Sequence, residues 1–272
     1  MQHSNIVIET KHATAILSLI GGQIIHWAPS GHKPVLWLSQ KAAIEEGKAI
    51  RGGVPICWPW FGNKESLPAH GLVRTKLWKH VDTIERGDVT CVKLQCFSDA
   101  HTLAVWPFPF VLEVEYHIGK ELRVVLNTYN TGKEALYITE ALHTYFLIDQ
   151  INAVQIKGLE GSNYLDKTMN LTLLKQKDSI RIIDETDRIY LHPGPVTIID
   201  EGLNRKIEIS SAGNKHTVVW NPWTEKSSLF KDMNPKDFNH FICVESANVD
   251  EVFIAPGTVH TLTQSFLISA LA

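Results

Sequence analysis

Short runs in which apolar and polar residues alternate recur along most of the chain, and turn-prone residues separate them. In the run ELRVVLNTYN, Leu122, Val124 and Leu126 are predicted to face one side of a strand, and the residues between them the other. No segment keeps a helical period over several turns. The pattern therefore predicts an all-β protein with about 15–20 short strands. A single helical turn is expected in KAAIEEG, ending at Gly47.

This many antiparallel strands must pack as sheets, because one open sheet would leave long unpaired edges. The prediction is a large antiparallel β-sandwich. Turn signals at Arg86-Gly87-Asp88 and Gly119-Lys120 mark two of the hairpins. No linker, low-complexity tract or repeat divides the sequence, so we expect one domain over residues 1–272.

The segment Ile50–Trp78 breaks the pattern, since IRGGVPICWPWFGNKESLPAHGLVRTKLW has neither a strand nor a helix period. It is rich in tryptophan and modest in charge, which is the reverse of a disordered composition. Long irregular segments in compact domains are usually functional when they are ordered. With Arg51, His70 and Arg74 in it, the segment predicts an aromatic-walled loop around a pocket for a polar or anionic small ligand.

Composition narrows the function further. The net charge of −3 gives no general attraction to nucleic acids or acidic membranes, so any anion binding must come from local arginines. No apolar run approaches the roughly 18 residues that a membrane span needs. The N-terminus has no signal-peptide pattern, and the four cysteines have no zinc-ligand spacing and lie beside apolar residues. Buried, reduced thiols and a cytoplasmic location are expected.

His143, Glu245 and Asp187 are the candidates for acid–base chemistry. His143 lies inside the apolar run ALHTYFLI, where an imidazole has a desolvation cost unless it is hydrogen-bonded. Glu245 ends the run HFICVES, and an apolar setting raises a carboxyl pKa toward the range of a general base. The alternative for His143 is a hydrogen-bonded histidine of the core, and the alternative for Glu245 is a strand-end carboxylate that faces solvent. Asp187, in ETDRIY, reads by itself as a turn residue.

Other chemistries have weaker support in the sequence. It contains no HExxH or paired-cysteine metal pattern, no GxSxG nucleophile motif and no phosphate-binding glycine loop. Arg51 and Arg74 are the best candidates for anion ligands, because a guanidinium grips phosphate or carboxylate with two donors. The alternative is that both are solvated loop charges.

The tryptophans favour a carbohydrate ligand. Trp58, Trp60, Trp220 and Trp223 can supply flat apolar faces for the C–H patches of a sugar, while polar side chains bind its hydroxyls. Core packing is the alternative for each of them.

Six motifs occur in a fixed order along the chain: IRGGVPICWPWFG, LPAHGLVRTKLW, EALHTYF, TDRIY, VVWNPW and FICVE. Together they resemble the hexose-6-phosphate mutarotases (glucose-6-phosphate 1-epimerases), a branch of the aldose 1-epimerase, or galactose mutarotase-like, superfamily. The resemblance covers roughly residues 5–270. It implies the large antiparallel β-sandwich of that superfamily, the supersandwich, in agreement with the strand pattern.

The resemblance also implies an acid–base mechanism without a metal or an organic cofactor. By position, His143 and Glu245 look like the catalytic pair of the family. The glutamate would take the proton of the anomeric hydroxyl while the histidine protonates the ring oxygen. The ring opens, the C1–C2 bond rotates, and reclosure gives the other anomer.

Four further residues match substrate-binding positions. His70 resembles a histidine that hydrogen-bonds the sugar, and Arg51 and Arg74 resemble arginines that hold the substrate and, in this branch, its 6-phosphate. Asp187 resembles an aspartate that contacts sugar hydroxyls. Ala69 departs from the pattern, since several relatives carry a polar residue there, which implies one sugar contact fewer.

The leading hypothesis is therefore an isomerase that interconverts the anomers of a hexose 6-phosphate, with glucose 6-phosphate as the expected substrate. The alternatives are a mutarotase for unphosphorylated aldoses and a non-catalytic carbohydrate-binding protein on the same scaffold. We expect a monomer with a sugar phosphate as its partner, and neither nucleic acid nor membrane.

Overall fold

The computed structural model describes residues 5–271, and within that range the chain forms nineteen β-strands. The strands are β1 (Asn5–Glu9), β2 (Ala13–Ser18), β3 (Gln23–Pro29), β4 (Ile56–Cys57), β5 (Lys79–Arg86), β6 (Val89–Phe97), β7 (Phe110–Ile118), β8 (Glu121–Asn130), β9 (Leu136–Leu142), β10 (Tyr145–Leu147), β11 (Val154–Lys157), β12 (Asn163–Asp166), β13 (Thr172–Lys175), β14 (Thr186–Tyr190), β15 (Val196–Asp200), β16 (Arg205–Ala212), β17 (His216–Asn221), β18 (Phe241–Ile254) and β19 (Val259–Ala270).

Helical structure in the described range is short. It comprises the α-helices α1 (Ala100–Val105) and α2 (Trp223–Leu229) and the 3-10 turns Ile151–Ala153, Lys167–Met169 and Asp237–His240. None of these helices has the length and apolarity needed to cross a bilayer.

Two eight-stranded antiparallel sheets form the body of the fold. We call one the site sheet, in which the strand order is β13-β12-β14-β17-β18-β9-β4 and β10 also pairs with β18. The other, the back sheet, has the order β11-β15-β16-β19-β8-β7-β6-β5. A three-stranded sheet, β1-β2-β3, accompanies them. The predicted all-β, antiparallel sandwich is confirmed.

The core lies between the two large sheets. Along β8, Leu122, Val124 and Leu126 are fully buried, while the residues between them are less so, as the alternation predicted. Phe146 of the site sheet meets Phe266 of the back sheet edge to face, with ring centroids 5.1 Å apart. The facing apolar sides of the two sheets therefore pack against each other.

Both predicted hairpins are confirmed. Gly87 and Asp88 join β5 to β6, and Gly119 and Lys120 join β7 to β8. The helical turn expected to end at Gly47 is wrong, since the chain there forms bends and turns.

The two α-helices were not predicted, because local capping and tertiary contacts produce them without a long periodic pattern. Asp99 and Thr102 form a reciprocal capping box at the start of α1. At α2, the Trp223 backbone N–H donates to the Asn221 side chain, where the strand signal of VVWNPW ends.

The central segment Ile50–Trp78 is a loop with one short strand, β4, which pairs with β9 at the edge of the site sheet. Its path requires glycine at position 71, where φ is +85° and an added Cβ would lie 1.9 Å from the Trp58 carbonyl oxygen. His70 also has a positive φ, of 61°. The tight turn at these two residues directs the His70 side chain toward the site sheet.

Candidate active site

A cavity of about 300 Å³ lies between the central loop and the site sheet. This is the size of a pocket for a small ligand. All six site residues predicted from the sequence line it, together with ten others: Arg51, Phe61, Gly62, Asn63, Ala69, His70, Arg74, His143, Tyr145, Lys167, Asp187, Val218, Trp220, Lys226, Phe230 and Glu245.

His143 and Glu245 face each other across neighbouring strands. The pairings of Leu142 with Ser246 and of Tyr145 with Cys243 share one register, which puts His143 directly opposite Glu245. The His143 Nε2 and Glu245 Oε1 atoms are 3.3 Å apart. The contact places an imidazole and a carboxyl group side by side, where both can act on one ligand.

Burial controls the protonation of this pair. It raises the pKa of Glu245 well above its usual range, and the nearby charge of Asp187 raises it further. Burial also lowers the pKa of His143, with smaller contributions in the same direction from His70 and Arg74. Both shifts disfavour the charged forms, so burial favours a neutral carboxyl group facing a neutral imidazole. That state supplies one acid and one base.

Aromatic packing holds the His143 ring, and a backbone hydrogen bond holds its main chain. Tyr145 stacks on the imidazole with centroids 4.9 Å apart and planes 16° from parallel, and the Trp220 ring lies edge-on at 5.9 Å. The His143 backbone N–H donates to the Pro55 carbonyl at 2.9 Å. The ring is therefore oriented before any ligand enters.

His70 is a neutral hydrogen-bond donor in the pocket. Its Nδ1 accepts from the Gly62 backbone N–H at 3.3 Å, which leaves the ring proton on Nε2. Burial lowers the pKa of His70 to about 3, and the charges of Arg74, Lys167 and Arg51 act in the same direction. Above that pH the imidazole is uncharged and can donate from Nε2.

The two predicted arginines differ in their surroundings. Arg51 donates from Nε to Asp232 and from Nη1 to the Tyr145 hydroxyl, both at 3.1 Å, and its guanidinium lies over the Phe230 ring. The ion pairs of the described residues include Arg51 but not Arg74. Arg74 is thus the cation more readily available to an anionic ligand.

Two lysines in the pocket were missed by the sequence analysis. Lys167 pairs with Asp187 at 3.0 Å, and Lys226 pairs with Glu185 at 2.8 Å. Lys167 lies on the 3-10 turn Lys167–Met169 and Lys226 lies on α2. No local sequence pattern distinguishes them from ordinary surface lysines. Asp187 is buried on β14, and this burial raises its pKa, although Lys167 opposes the shift. The interpretation of Asp187 as a turn residue is wrong.

Of the four tryptophans considered for sugar contacts, only Trp220 lines the pocket. Trp58 is fully buried in the core. Trp60 lies under the Lys64 ammonium group, and Trp223 packs on Phe238. For these three the packing alternative is correct.

The four cysteines are buried and free, as predicted. Within residues 5–271, one group has the composition and proximity of a metal site: Cys91, Glu115 and His117, on β6 and β7 of the back sheet. It does not include any pocket residue, and the Lys93 ammonium group already binds Glu115 at 3.0 Å.

Comparisons with known proteins agree with the architecture. The profile of the family described as aldose 1-epimerase matches residues 4–267. A protein of Escherichia coli K12 named "Putative glucose-6-phosphate 1-epimerase" is 35% identical over 250 residues, which is 90% of this chain and 83% of that protein. The Salmonella typhimurium protein of the same name is 35% identical over 89% of this chain and 82% of its own length.

Solved structures show the same fold. The crystal structure titled as a "putative mutarotase (YeaD)" from Salmonella typhimurium superposes with a TM-score of 0.93 at 31% identity, over 98% of this chain and 90% of that one. A galactose mutarotase-related enzyme from Lactobacillus acidophilus has a TM-score of 0.76 at 12% identity over 98% of both chains, which shows likeness of fold alone.

The protonation of His70 is testable by ¹⁵N NMR of the histidine side chains. Because its pKa is lowered to about 3, the ring should stay neutral, with the proton on Nε2, throughout pH 5–9. The signal is assigned by its loss in His70→Asn. A ring that titrates within this range, or that carries its proton on Nδ1, would contradict the geometry.

Proposed function

We propose that this chain, which belongs to the aldose 1-epimerase family and is an isomerase that interconverts sugar anomers, takes a hexose 6-phosphate as its substrate. Glucose 6-phosphate is the expected one. The observation that carries the proposal is the pocket itself, where an acid–base pair shares one small cavity with four cationic side chains.

His143 and Glu245 are the proposed catalytic residues. In the productive state Glu245 is ionised and His143 is protonated. The proton that the neutral carboxyl holds must therefore move to the imidazole, whose Nε2 lies 3.3 Å from Glu245 Oε1. Glu245 takes the proton of the anomeric hydroxyl, His143 gives its proton to the ring oxygen, and the C1–O5 bond breaks as the C1 carbonyl forms. After rotation about C1–C2 the proton transfers reverse, and the pair is regenerated. No step uses a metal or an organic cofactor.

The enzyme needs to lower the activation barrier of this reaction only modestly. Mutarotation already proceeds in water, and positioned general acids and bases contribute about 10²–10⁴-fold. His70 Nε2 and Asp187 are proposed to bind sugar hydroxyls and so to fix the anomeric carbon beside the pair. Their position supports this role, because both side chains line the cavity and polar groups shielded from bulk water favour a ligand that satisfies them.

The cations are proposed to bind the phosphate. Arg74 and Arg51 offer guanidinium donors, and Lys167 and Lys226 add positive charge to the same cavity. Carboxylates already pair with Arg51 and both lysines, so a phosphate would compete for them, whereas it would meet Arg74 directly.

We further propose that residues 1–272 form a single domain that acts as a monomer in the cytoplasm. Four buried free thiols support a reducing compartment. The sugar phosphate is the proposed partner, without nucleic acid or membrane.

The first experiment measures anomer exchange by NMR magnetisation transfer, with glucose 6-phosphate, glucose and galactose at equal concentration. Exchange should accelerate for glucose 6-phosphate and much less for the free sugars, since only the phosphate engages the cations. Equal acceleration of the free sugars would instead support a mutarotase for unphosphorylated aldoses. Binding without acceleration of any sugar would leave a carbohydrate-binding protein.

Glu245→Gln should lower kcat for glucose 6-phosphate by about 10²–10⁴-fold, because the amide cannot exchange the proton. The fold should survive, since the amide fills nearly the same volume. Glu113→Gln is the matched control, as Glu113 is a buried carboxylate on the back sheet. Full turnover by a folded Glu245→Gln variant would remove Glu245 from the mechanism.

Arg74→Ala should raise KM for glucose 6-phosphate about 10- to 100-fold, in line with roughly 1.5–3 kcal/mol for a charged hydrogen bond. Any binding of free glucose should be nearly unchanged. Arg123→Ala, on the outer face of β8, serves as the control for lost surface charge. If both ligands weaken equally, Arg74 does not bind the phosphate.

A further inference from the structure

The strand pairing that holds His143 and Glu245 has an interruption beside them. Thr144 and Val244 are the next opposed pair, and the Val244 N–H donates to the Thr144 carbonyl at 3.3 Å. In a regular antiparallel ladder such a pair exchanges two hydrogen bonds. Here the Thr144 N–H turns to the Leu142 carbonyl instead, at 3.1 Å. The Val244 carbonyl is left without its ladder donor.

Gln264 supplies the missing donor from the opposite sheet. This residue lies on β19 of the back sheet and is completely buried. Its Nε2 donates to the Val244 carbonyl at 3.1 Å, and its Oε1 accepts from the Thr144 hydroxyl at 2.6 Å. One amide group therefore bridges both strands at the residues that adjoin His143 and Glu245.

The position of the bridge follows from the alternation of side chains along a strand. His143 and Glu245 point into the pocket, so their neighbours Thr144 and Val244 point into the core, toward the back sheet. Because the remaining ladder bond joins Val244 to Thr144, His143 and Glu245 occupy a non-hydrogen-bonded pair. In such a pair the strands approach most closely, and no backbone bond of its own fixes the separation.

We propose that Gln264 is a positioning residue of the acid–base pair, which clamps Thr144 to Val244 from the back sheet and so sets the distance between His143 and Glu245. The proposal rests on the proposed function for its kinetic readout. Without the amide, the buried Val244 carbonyl lacks a partner, and the two strands must separate, slip or admit water to satisfy it.

The test uses three variants at the bridge. Gln264→Met keeps the length of the side chain and removes both hydrogen bonds, and Thr144→Val removes the hydroxyl at nearly constant shape. Thr144→Ser keeps the hydroxyl and is the matched conservative variant. Ile207→Val, a core substitution on β16, controls for lost stability alone.

Gln264→Met and Thr144→Val should lower kcat for glucose 6-phosphate at least tenfold with KM nearly unchanged, because small misplacements of reacting groups cost up to about a hundredfold. Thr144→Ser should retain most of the rate, and Ile207→Val should lower the melting temperature without affecting kcat. The double variant Gln264→Met/Thr144→Val should lose little more than Gln264→Met alone, since both changes break one bridge.

The pH profile of kcat separates positioning from a general loss of stability. Water that enters a loosened pair should move the pKa of His143 up and that of Glu245 down, toward their ordinary values. The fall of kcat on the acid side, set by His143, then shifts to higher pH, and the fall on the alkaline side, set by Glu245, shifts to lower pH. The pH range of full activity becomes narrower. A melting temperature that falls while kcat and both limbs stay in place would overturn the proposal, as would equal losses in Thr144→Ser and Thr144→Val.

A failure of the proposed Gln264 bridge can be distinguished from a failure of the proposed function. If the unmodified protein does not accelerate exchange of glucose 6-phosphate, the proposed function fails. If it does, and Glu245→Gln is inactive, the variants at Gln264 and Thr144 test the bridge alone. The ¹³C carboxyl shift of Glu245 followed against pH gives a readout without turnover, and an unchanged titration in Gln264→Met would also overturn the proposal.

Discussion

The pocket depends on the pairing of β18 with the segment that joins β9 to β10. That register puts His143 opposite Glu245 with both side chains on the ligand face, and it leaves their neighbours in the core. Because side chains alternate, a slip of one residue would turn the pair inward and bring core residues into the cavity. The register of the backbone pairing therefore decides which residues face the ligand, and the side-chain contacts refine their separation.

Burial and charge act on this pair in complementary ways. The surrounding core disfavours ionisation of either group, because burial raises the pKa of Glu245 and lowers that of His143. The charges needed for an anionic ligand lie around it on the loop and the short helical turns, and most are already balanced by carboxylates. This arrangement lets the cavity hold several cations without a large electrostatic cost in the absence of ligand.

The two parts of the site have different structural origins. The sheets hold the reacting groups on rigid strands, which the back sheet supports through Gln264. The central loop supplies Arg51, His70 and Arg74, and its close passage at Gly71 fixes the direction of the His70 ring. Division of labour between a rigid scaffold and recognition loops is common in β-sandwich proteins.

The sequence by itself determined the fold class, the hairpin turns and the family, because strand alternation, turn residues and ordered motifs are local properties of the chain. It also singled out Glu245 and His143 as polar residues in apolar runs. The pocket lysines, the burial of Trp58 and the bridge from Gln264 were decided only by tertiary structure. Each depends on which strands become neighbours and which face of a strand meets the core, and distant pairing rather than local pattern sets both.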